Sequence, residues 1–198
     1  MHPDLRESMA ENLRRFTRRE RPGTALPAAV AIVLVRHGDG AAIPIFQRPS
    51  TMAMHAGQMA LPGGKTHAGE SAERCALREL GEELGLVAHD ADILGRLDDF
   101  PTRSGFSITP VVVWSGADAA DIMPSAREVH RLFLVSAADL REAVAGAAPG
   151  ASEAFALRLN SVSVYAPTAA ILYQFSEVAL DGRQCRVDDF YQPPFTHR

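Results

Sequence analysis

From Gly64 to Leu86 the chain reads G-K-T-H-A-G-E-S-A-E-R-C-A-L-R-E-L-G-E-E-L-G-L. Leu77, Leu80 and Leu84 recur at helical spacing and offer one apolar face, which predicts a helix over 71–84 stopped by Gly85. Glu79, Glu82 and Glu83 stand at i, i+3 and i+4, so on that helix they share another face about one turn tall. Three like charges that close repel, and a surface helix gains nothing from them. A hard divalent cation reverses the sign of the problem, because carboxylate oxygens are what Mg²⁺ or Mn²⁺ prefers. Just upstream, Leu61-Pro62-Gly63-Gly64 can turn sharply and bring backbone groups to the same metal or to a phosphate. The segment is a candidate metal-dependent phosphate site.

The surroundings alternate strands with isolated helices. Residues 27–36, P-A-A-V-A-I-V-L-V-R, read as a buried β-branched strand, His37 to Gly40 as a turn, and Ile43 to Arg48 as the returning strand. Beyond the helix, Ile93 to Phe100, Ser107 to Trp114 and Glu128 to Val135 are strand-like. Ser136 opens a short helix over Leu140 to Val144, and Ala147 to Ser152 is a small-residue loop expected to be mobile. Phe155 to Tyr165 reads as strand or hairpin. Thr168 to Leu180 reads as a helix with Ile171, Leu172, Phe175 and Val178 or Ala179 inward. From Arg183 the chain is polar, with Pro193-Pro194, and is expected to be extended. The fold class is α/β, a mixed sheet between helical layers. An N-terminal helical extension over 1–25, a main domain over 26–182 and a tail over 183–198 complete the division.

Composition narrows the function classes. With 198 residues, 46% of them hydrophobic, the chain can bury one sizeable core. A net charge of −4 argues against nonspecific nucleic-acid binding, which wants a basic face. The one basic cluster, Arg14, Arg15, Arg18, Arg19 and Arg21, lies beside Leu5, Met9, Leu13 and Phe16. That pattern fits a solvated helix or a contact in a homodimer better than a nucleic-acid arm. Cys75 and Cys185 are the only cysteines, so there is no disulfide framework and no cysteine zinc spacing. No apolar run approaches membrane-spanning length and no signal-like h-region opens the chain, so a soluble protein of the reducing cytoplasm, without membrane partners, is expected. Cys75, on the helix, reads as a small packing residue.

The quoted segment resembles the Nudix box, G-x5-E-x7-R-E-U-x-E-E-x-G-U with U aliphatic, at every fixed position. Chance odds for one window are on the order of 10⁻⁸ at ordinary residue frequencies. A solvated acidic helix after a Gly-rich turn would explain the charges but not Gly64, Arg78 and Gly85 at their spacings. The resemblance implies a Nudix-type α/β/α sandwich and a hydrolase of diphosphates linked to another moiety, dependent on Mg²⁺ or Mn²⁺. It implies Glu79 and Glu83 as metal ligands with Glu82 third, and a backbone carbonyl of Gly63 or Gly64, Gly64 being the one carried forward. Glu70 would cap the helix or reach the metal through water. Arg78 would hold a box carboxylate in place. The base that activates water would be a box glutamate, Glu82 foremost, or an acid from a distant loop. Glu128 is the loop candidate, and Asp98 and Asp99 are the other acids in view.

Upstream, Arg48 and His55-Ala56-Gly57-Gln58-Met59-Ala60-Leu61-Pro62-Gly63-Gly64 are similar to the signature of coenzyme A pyrophosphatases, L-L-T-x-R-S-x3-R-x-H-x-G-x-V-x-F-P-G-G. Leu97-Asp98-Asp99, Gly105 to Pro110 and Glu128-Val129 extend the likeness, which runs from about Ala28 to Thr168. It implies Arg48, His55 and Gln58 as substrate contacts. Its departures are Ala53 at the second arginine, Phe46 at Thr, Pro49 at Ser, and Tyr165-Ala166-Pro167-Thr168-Ala169 for Trp-Gly-x-Thr-Ala. Ala53 removes a bidentate phosphate contact. The implied reaction cleaves coenzyme A or an acyl derivative to 3′,5′-ADP and 4′-phosphopantetheine. ADP-ribose, NADH or a nucleoside triphosphate is the alternative substrate, and a non-catalytic nucleotide-binding domain the alternative class. A pure binding module has no need of Glu79, Glu82 and Glu83 together.

Overall fold

A computed structural model describes residues 3–21, 23, 25–51, 56–147, 154–159 and 161–192. The elements are α1 (Pro3–Arg15), β1 (Leu26–His37), β2 (Gly40–Gln47), β3 (Met59–Ala60), β4 (Gly63–Lys65), α2 (Ala72–Leu84), β5 (Ile93–Arg96), β6 (Phe100–Pro101), β7 (Phe106–Asp118), β8 (Arg131–Ser136), α3 (Ala137–Ala145), β9 (Ala156–Leu159), β10 (Val162–Tyr165) and α4 (Thr168–Phe175). A wider helical turn, Ser176–Leu180, continues α4.

The period-2 pattern of the long strands decides the layering. On β1, Ile32 and Leu34 face one core, while Ala29, Ala31, Val33 and Val35 face the other. On β7, Val112 and Trp114 divide from Val111 and Val113 in the same way. The two strands run parallel at the centre of the sheet, from Leu26 opposite Phe106 onward. Their neighbours, β2 and β4 on β1 and β5 and β6 on β7, are antiparallel, so the sheet is mixed. Helix α2 covers one face, and α1, α3 and α4 cover the other, giving the expected α/β/α sandwich. β9 and β10 pair as the expected hairpin.

Helix α2 begins where Ser71 Oγ accepts the Arg74 N–H at 3.2 Å and ends at Gly85, whose φ of 67° is left-handed. Its buried stripe is rotated from the one expected. Cys75, Ala76, Leu80 and Leu84 are buried, while Leu77 is only partly so. Small side chains at 75 and 76 let the helix lie close on β1. Cys75 is thus a packing residue, and burial pushes its thiol pKa up to about 11.

Described segments near both ends of the chain pack on the opposite face. Met9, Leu13 and Phe16 of the N-terminal segment are buried in the same core as Leu97, Leu172 and Ala179, so that apolar face is spent within the chain. The expected strand over 93–100 is split, and Asp98 and Asp99 occupy the break. Asp98 accepts from the Arg19 N–H at 2.7 Å, from Gln174 Nε2 at 2.9 Å and from Arg186 at 2.9 and 3.0 Å. Asp99 accepts from Arg18, from the Arg21 N–H at 2.8 Å and from Thr109 Oγ1 at 2.6 Å. The two acids clasp both terminal segments to the sheet. The residues after Gly182 run without helix or strand as far as Gln192, but they are packed rather than extended: Val187 is buried in the core and the Phe190 N–H closes a turn on the Val187 carbonyl at 3.1 Å. Residues 148–153, most of the loop expected to be mobile, and Pro193-Pro194 lie outside the described residues.

Candidate active site

Gly63 and Gly64 on β4 pair with Val30 and Ala29 of β1 and lie under helix α2. A Cβ on Gly63 would stand 2.5 Å from the Ala29 carbonyl oxygen, and one on Gly64 would stand 2.1 Å from Glu79 Oε1. Gly63 is therefore required by close approach to the β1 backbone, whereas at Gly64 the neighbour is the movable end of the Glu79 side chain. Gly63→Ala should push β4 off β1, because a Cβ there would stand 2.9 Å from the Val30 Cα as well. Overpacking of this kind costs typically about 1–3 kcal/mol. Urea unfolding should show that loss together with reduced turnover, and wild-type behaviour in both would contradict the tight fit.

The repulsion expected among the box glutamates is answered within the chain by Arg78. Its Nε and Nη2 donate to Glu70 at 2.9 and 3.1 Å, and its Nη1 donates to Glu79 at 2.7 Å and to Glu82 at 3.1 Å. A further bond, 3.2 Å, reaches the Lys65 carbonyl. This fork aligns three carboxylates at once. The Arg78 hydrogen bonds, with the His67 N–H, hold the Glu70 pKa down to about 2. Glu70 does not cap α2, since Ser71 does.

Glu83 is the buried member of the set, only 2% exposed. Its Oε2 accepts the Gly63 N–H at 2.9 Å and its Oε1 accepts Arg48 Nη2 at 3.3 Å. Burial raises its pKa to about 7 against the lowering pull of Arg48 and Gly63, and the charges of Glu79 and Glu128 add to the rise. Glu79 is largely enclosed, and Glu82 is exposed.

Glu128 precedes the strand by more than expected. Strand β8 begins only at Arg131, and Glu128 sits in a turn tied to the end of α2 by the Ser125 N–H, which donates to the Glu83 carbonyl at 2.8 Å. That tie is what brings a residue 45 positions away in sequence within electrostatic reach of Glu83. Asp98 and Asp99 are engaged elsewhere, as described above.

The carbonyls separate in a way the sequence leaves open. Gly64 O accepts from the buried Cys75 thiol at 3.5 Å, whereas Gly63 O accepts from Arg48 Nη2 at 3.4 Å. Gly63 O thus shares the Arg48 guanidinium with Glu83 Oε1, while the Cys75 thiol lies 3.5 Å from both Gly64 O and Lys65 O. Among the described residues no three of His, Cys, Asp or Glu are drawn together as a ready metal site, and Arg78 and Arg48 engage the glutamates. The donor chemistry nevertheless fits a hard divalent ion. All the donors are oxygens, and Glu83 Oε1 and Gly63 O already converge on one positively charged group.

Arg48 and Gln58 line a cavity of about 540 Å³. The start of β1, the stretch from Ala56 to Lys65, the turn from Thr102 to Ile108 and the entry to α4 enclose it. The Arg48 N–H donates to the Gln58 carbonyl at 2.9 Å, which fixes both backbones. His55 and Ala53 lie outside the described residues. Sequence reasoning did not single out Lys65, the only lysine of the chain, whose Nζ stands 5.1 Å from the Phe106 ring centroid at the cavity wall. Tyr165 lines the cavity too, half-exposed. Both aromatic positions fall in segments that carry the coenzyme A pyrophosphatase likeness, so a signal for them was present.

Comparison with known proteins agrees with this geometry. The NUDIX domain model matches residues 25–169. The Nudix hydrolase NudL of Yersinia enterocolitica, named as uncharacterized, is 37% identical over 86 residues, 43% of this chain and 44% of that protein. NudL of Pectobacterium atrosepticum is 34% identical over 107 residues, 54% of this chain and 55% of that protein. The chain thus spans about half the length of the curated relatives it matches. Among solved structures, DR0079 from Deinococcus radiodurans superposes with a TM-score of 0.51 at 16% identity, covering 78% of this chain and 86% of that one, which bears on the fold alone. With the family model covering most of its length and the box intact on α2, the chain belongs to the Nudix family.

Proposed function

We propose that this chain is a divalent-metal-dependent hydrolase of a diphosphate linkage, with coenzyme A or acyl-coenzyme A as substrate. The observation that carries the reading is the buried Glu83 carboxylate, paired with the Gly63 turn at the rim of a cavity that Arg48 also lines. A carboxylate with 2% exposure is costly unless a cation uses it. Glu79, Glu83, Glu82 and the Gly63 carbonyl would hold Mg²⁺ or Mn²⁺, which when bound supplies neutralisation of phosphate charge and acidifies a water. The chain's own groups do the rest. Arg78 keeps Glu79 and Glu82 in place, and Arg48 binds a phosphate oxygen. Glu128, whose charge reaches Glu83, takes the proton as water adds to one phosphorus and the bridging P–O bond breaks. The other phosphate leaves with that oxygen.

Two features favour coenzyme A over a substrate read by its base. The cavity wall is mainly apolar. Several of its polar atoms are already used within the protein: Thr102 Oγ1 donates to Phe106 O, Thr168 Oγ1 to Met59 O, and Gln192 Nε2 to Pro101 O, at 3.1, 3.1 and 2.8 Å. An occupant is therefore held chiefly by apolar contact, which suits a pantetheine arm or its acyl extension. The test is a panel of coenzyme A, acetyl-coenzyme A, ADP-ribose, NADH and ATP with Mg²⁺ or Mn²⁺, read by product identity. We expect 3′,5′-ADP and 4′-phosphopantetheine from coenzyme A. Turnover of ADP-ribose, NADH or ATP alone would overturn the substrate and keep the hydrolase. Binding without turnover of any of them would turn the reading to a nucleotide-binding domain.

A further inference from the structure

Arg48 stands where a cation ligand set converges. Its Nη2 donates to both Glu83 Oε1 and Gly63 O, at 3.3 and 3.4 Å, and these oxygens come from segments 20 residues apart in sequence. The Gly63 N–H fixes the other Glu83 oxygen at 2.9 Å, so the carboxylate is clamped with Oε1 directed at the guanidinium. The backbone of Arg48 is held by its bond to Gln58 O, and its guanidinium carbon stands 5.6 Å from the Phe46 ring centroid. Its side chain, 18% exposed, also lines the cavity. The residue is anchored at the main chain and has open space for the side chain.

We infer that Arg48 is a resident counter-cation that holds Glu83 Oε1 and Gly63 O together in the metal-free protein and yields the position to the divalent ion. Resting on the metal-dependent reading above, this gives Arg48 a second task beyond phosphate contact. Two cations cannot share the same pair of oxygens at these distances without strong repulsion. Release of the guanidinium therefore accompanies metal binding, and the released group already faces the cavity that a diphosphate would enter. By linkage, anything that draws Arg48 toward the cavity tightens metal binding, and metal binding readies Arg48 for the anion. A residue serving only to support the loop would show no such competition.

The sign of one measurement separates the two roles. Mn²⁺ alone is titrated into chelator-stripped wild type, Arg48→Gln, Arg48→Lys and Glu83→Gln, with free Mn²⁺ followed by electron paramagnetic resonance and folding checked by circular dichroism. Displacing one charge-assisted contact corresponds to roughly a tenfold change in affinity. Arg48→Gln should therefore bind Mn²⁺ about tenfold more tightly than wild type, and Arg48→Lys, which keeps a cation with poorer reach, should fall between them. If Glu83-dependent Mn²⁺ binding is present in wild type but unchanged or weakened in both Arg48 variants, the inference fails and the metal site stands. Should Arg48→Gln not fold, the Arg48→Lys result decides alone, with affinity equal to or weaker than wild type overturning the idea. Mn²⁺ binding that does not respond to Glu83→Gln in wild type overturns the metal reading of the site, and this inference with it.

Discussion

Glu83→Gln is expected to lower kcat/KM on the diphosphate substrate by more than a hundredfold while leaving the fold intact. Outer-shell partners of a metal typically cost about 10- to 100-fold when removed, and Glu83 is argued to touch the ion itself. The substitution keeps the volume of the side chain and an oxygen for the Gly63 N–H, which donates at 2.9 Å. What it removes is the charge. Because the carboxylate pKa is raised to about 7, the native packing already accommodates a neutral group at this position for much of the time at neutral pH. Loss of activity should therefore separate cleanly from loss of structure. Steady-state rates at saturating Mg²⁺ or Mn²⁺, set against melting curves of the same samples, check it. Near-normal turnover in a folded variant would remove Glu83 from the site.

The sequence shows why some of this was legible and some was not. The apolar runs of β1 and β7 are local and uninterrupted, so both could be read directly as buried strands, whereas the division of their residues between two cores emerges only in the fold. Ser71 and Gly85 mark α2 through backbone chemistry that needs no tertiary partner. The placement of Glu128 depends on a turn hung from the end of α2, which no local pattern encodes, so the pattern predicts a strand from Glu128 where β8 begins at Arg131. Asp98 and Asp99 read equally well as catalytic acids or as clasps. Only the arrival of Arg18 and Arg186 from the terminal segments and of Gln174 from α4 distinguishes these roles. The rotated stripe on α2 has the same origin, because a close approach to β1 favours Cys75 and Ala76 over the larger Leu77. Gly63 against Gly64 is a question of which carbonyl meets Arg48 beside Glu83, a tertiary contact that no local pattern encodes. Arg78 was legible as a holder of a carboxylate, but not as a clamp on three.

Metal-free protein should lose stability as pH rises from about 4.5 to about 7, and Glu83→Gln should abolish most of that loss. The carboxyl of Glu83 titrates at about 7 in the folded chain, against an ordinary value of 4.5, chiefly because it is buried. Between those values the folded chain keeps a proton that the unfolded chain has released. Stability therefore falls with rising pH across the window, and is unaffected by this group below or above it. At 1.36 kcal/mol per pKa unit, the shift corresponds to about 3 kcal/mol. Glu70 does not confuse the result. Its pKa is lowered to about 2, so its contribution is present above 4.5 and is lost only as pH falls below that value. Urea unfolding of chelator-stripped wild type and Glu83→Gln at pH 4.5 and 7.5 isolates the term, since every other titrating group is common to both. The two proteins should be similar at the lower pH, with the variant the more stable by about 3 kcal/mol at the higher one. A difference that stays constant across pH would mean that Glu83 is not a strained buried carboxylate. The same free energy that destabilises the ionised, metal-free fold favours a cation at Glu83, which links the burial of this one side chain to the chemistry proposed for the site.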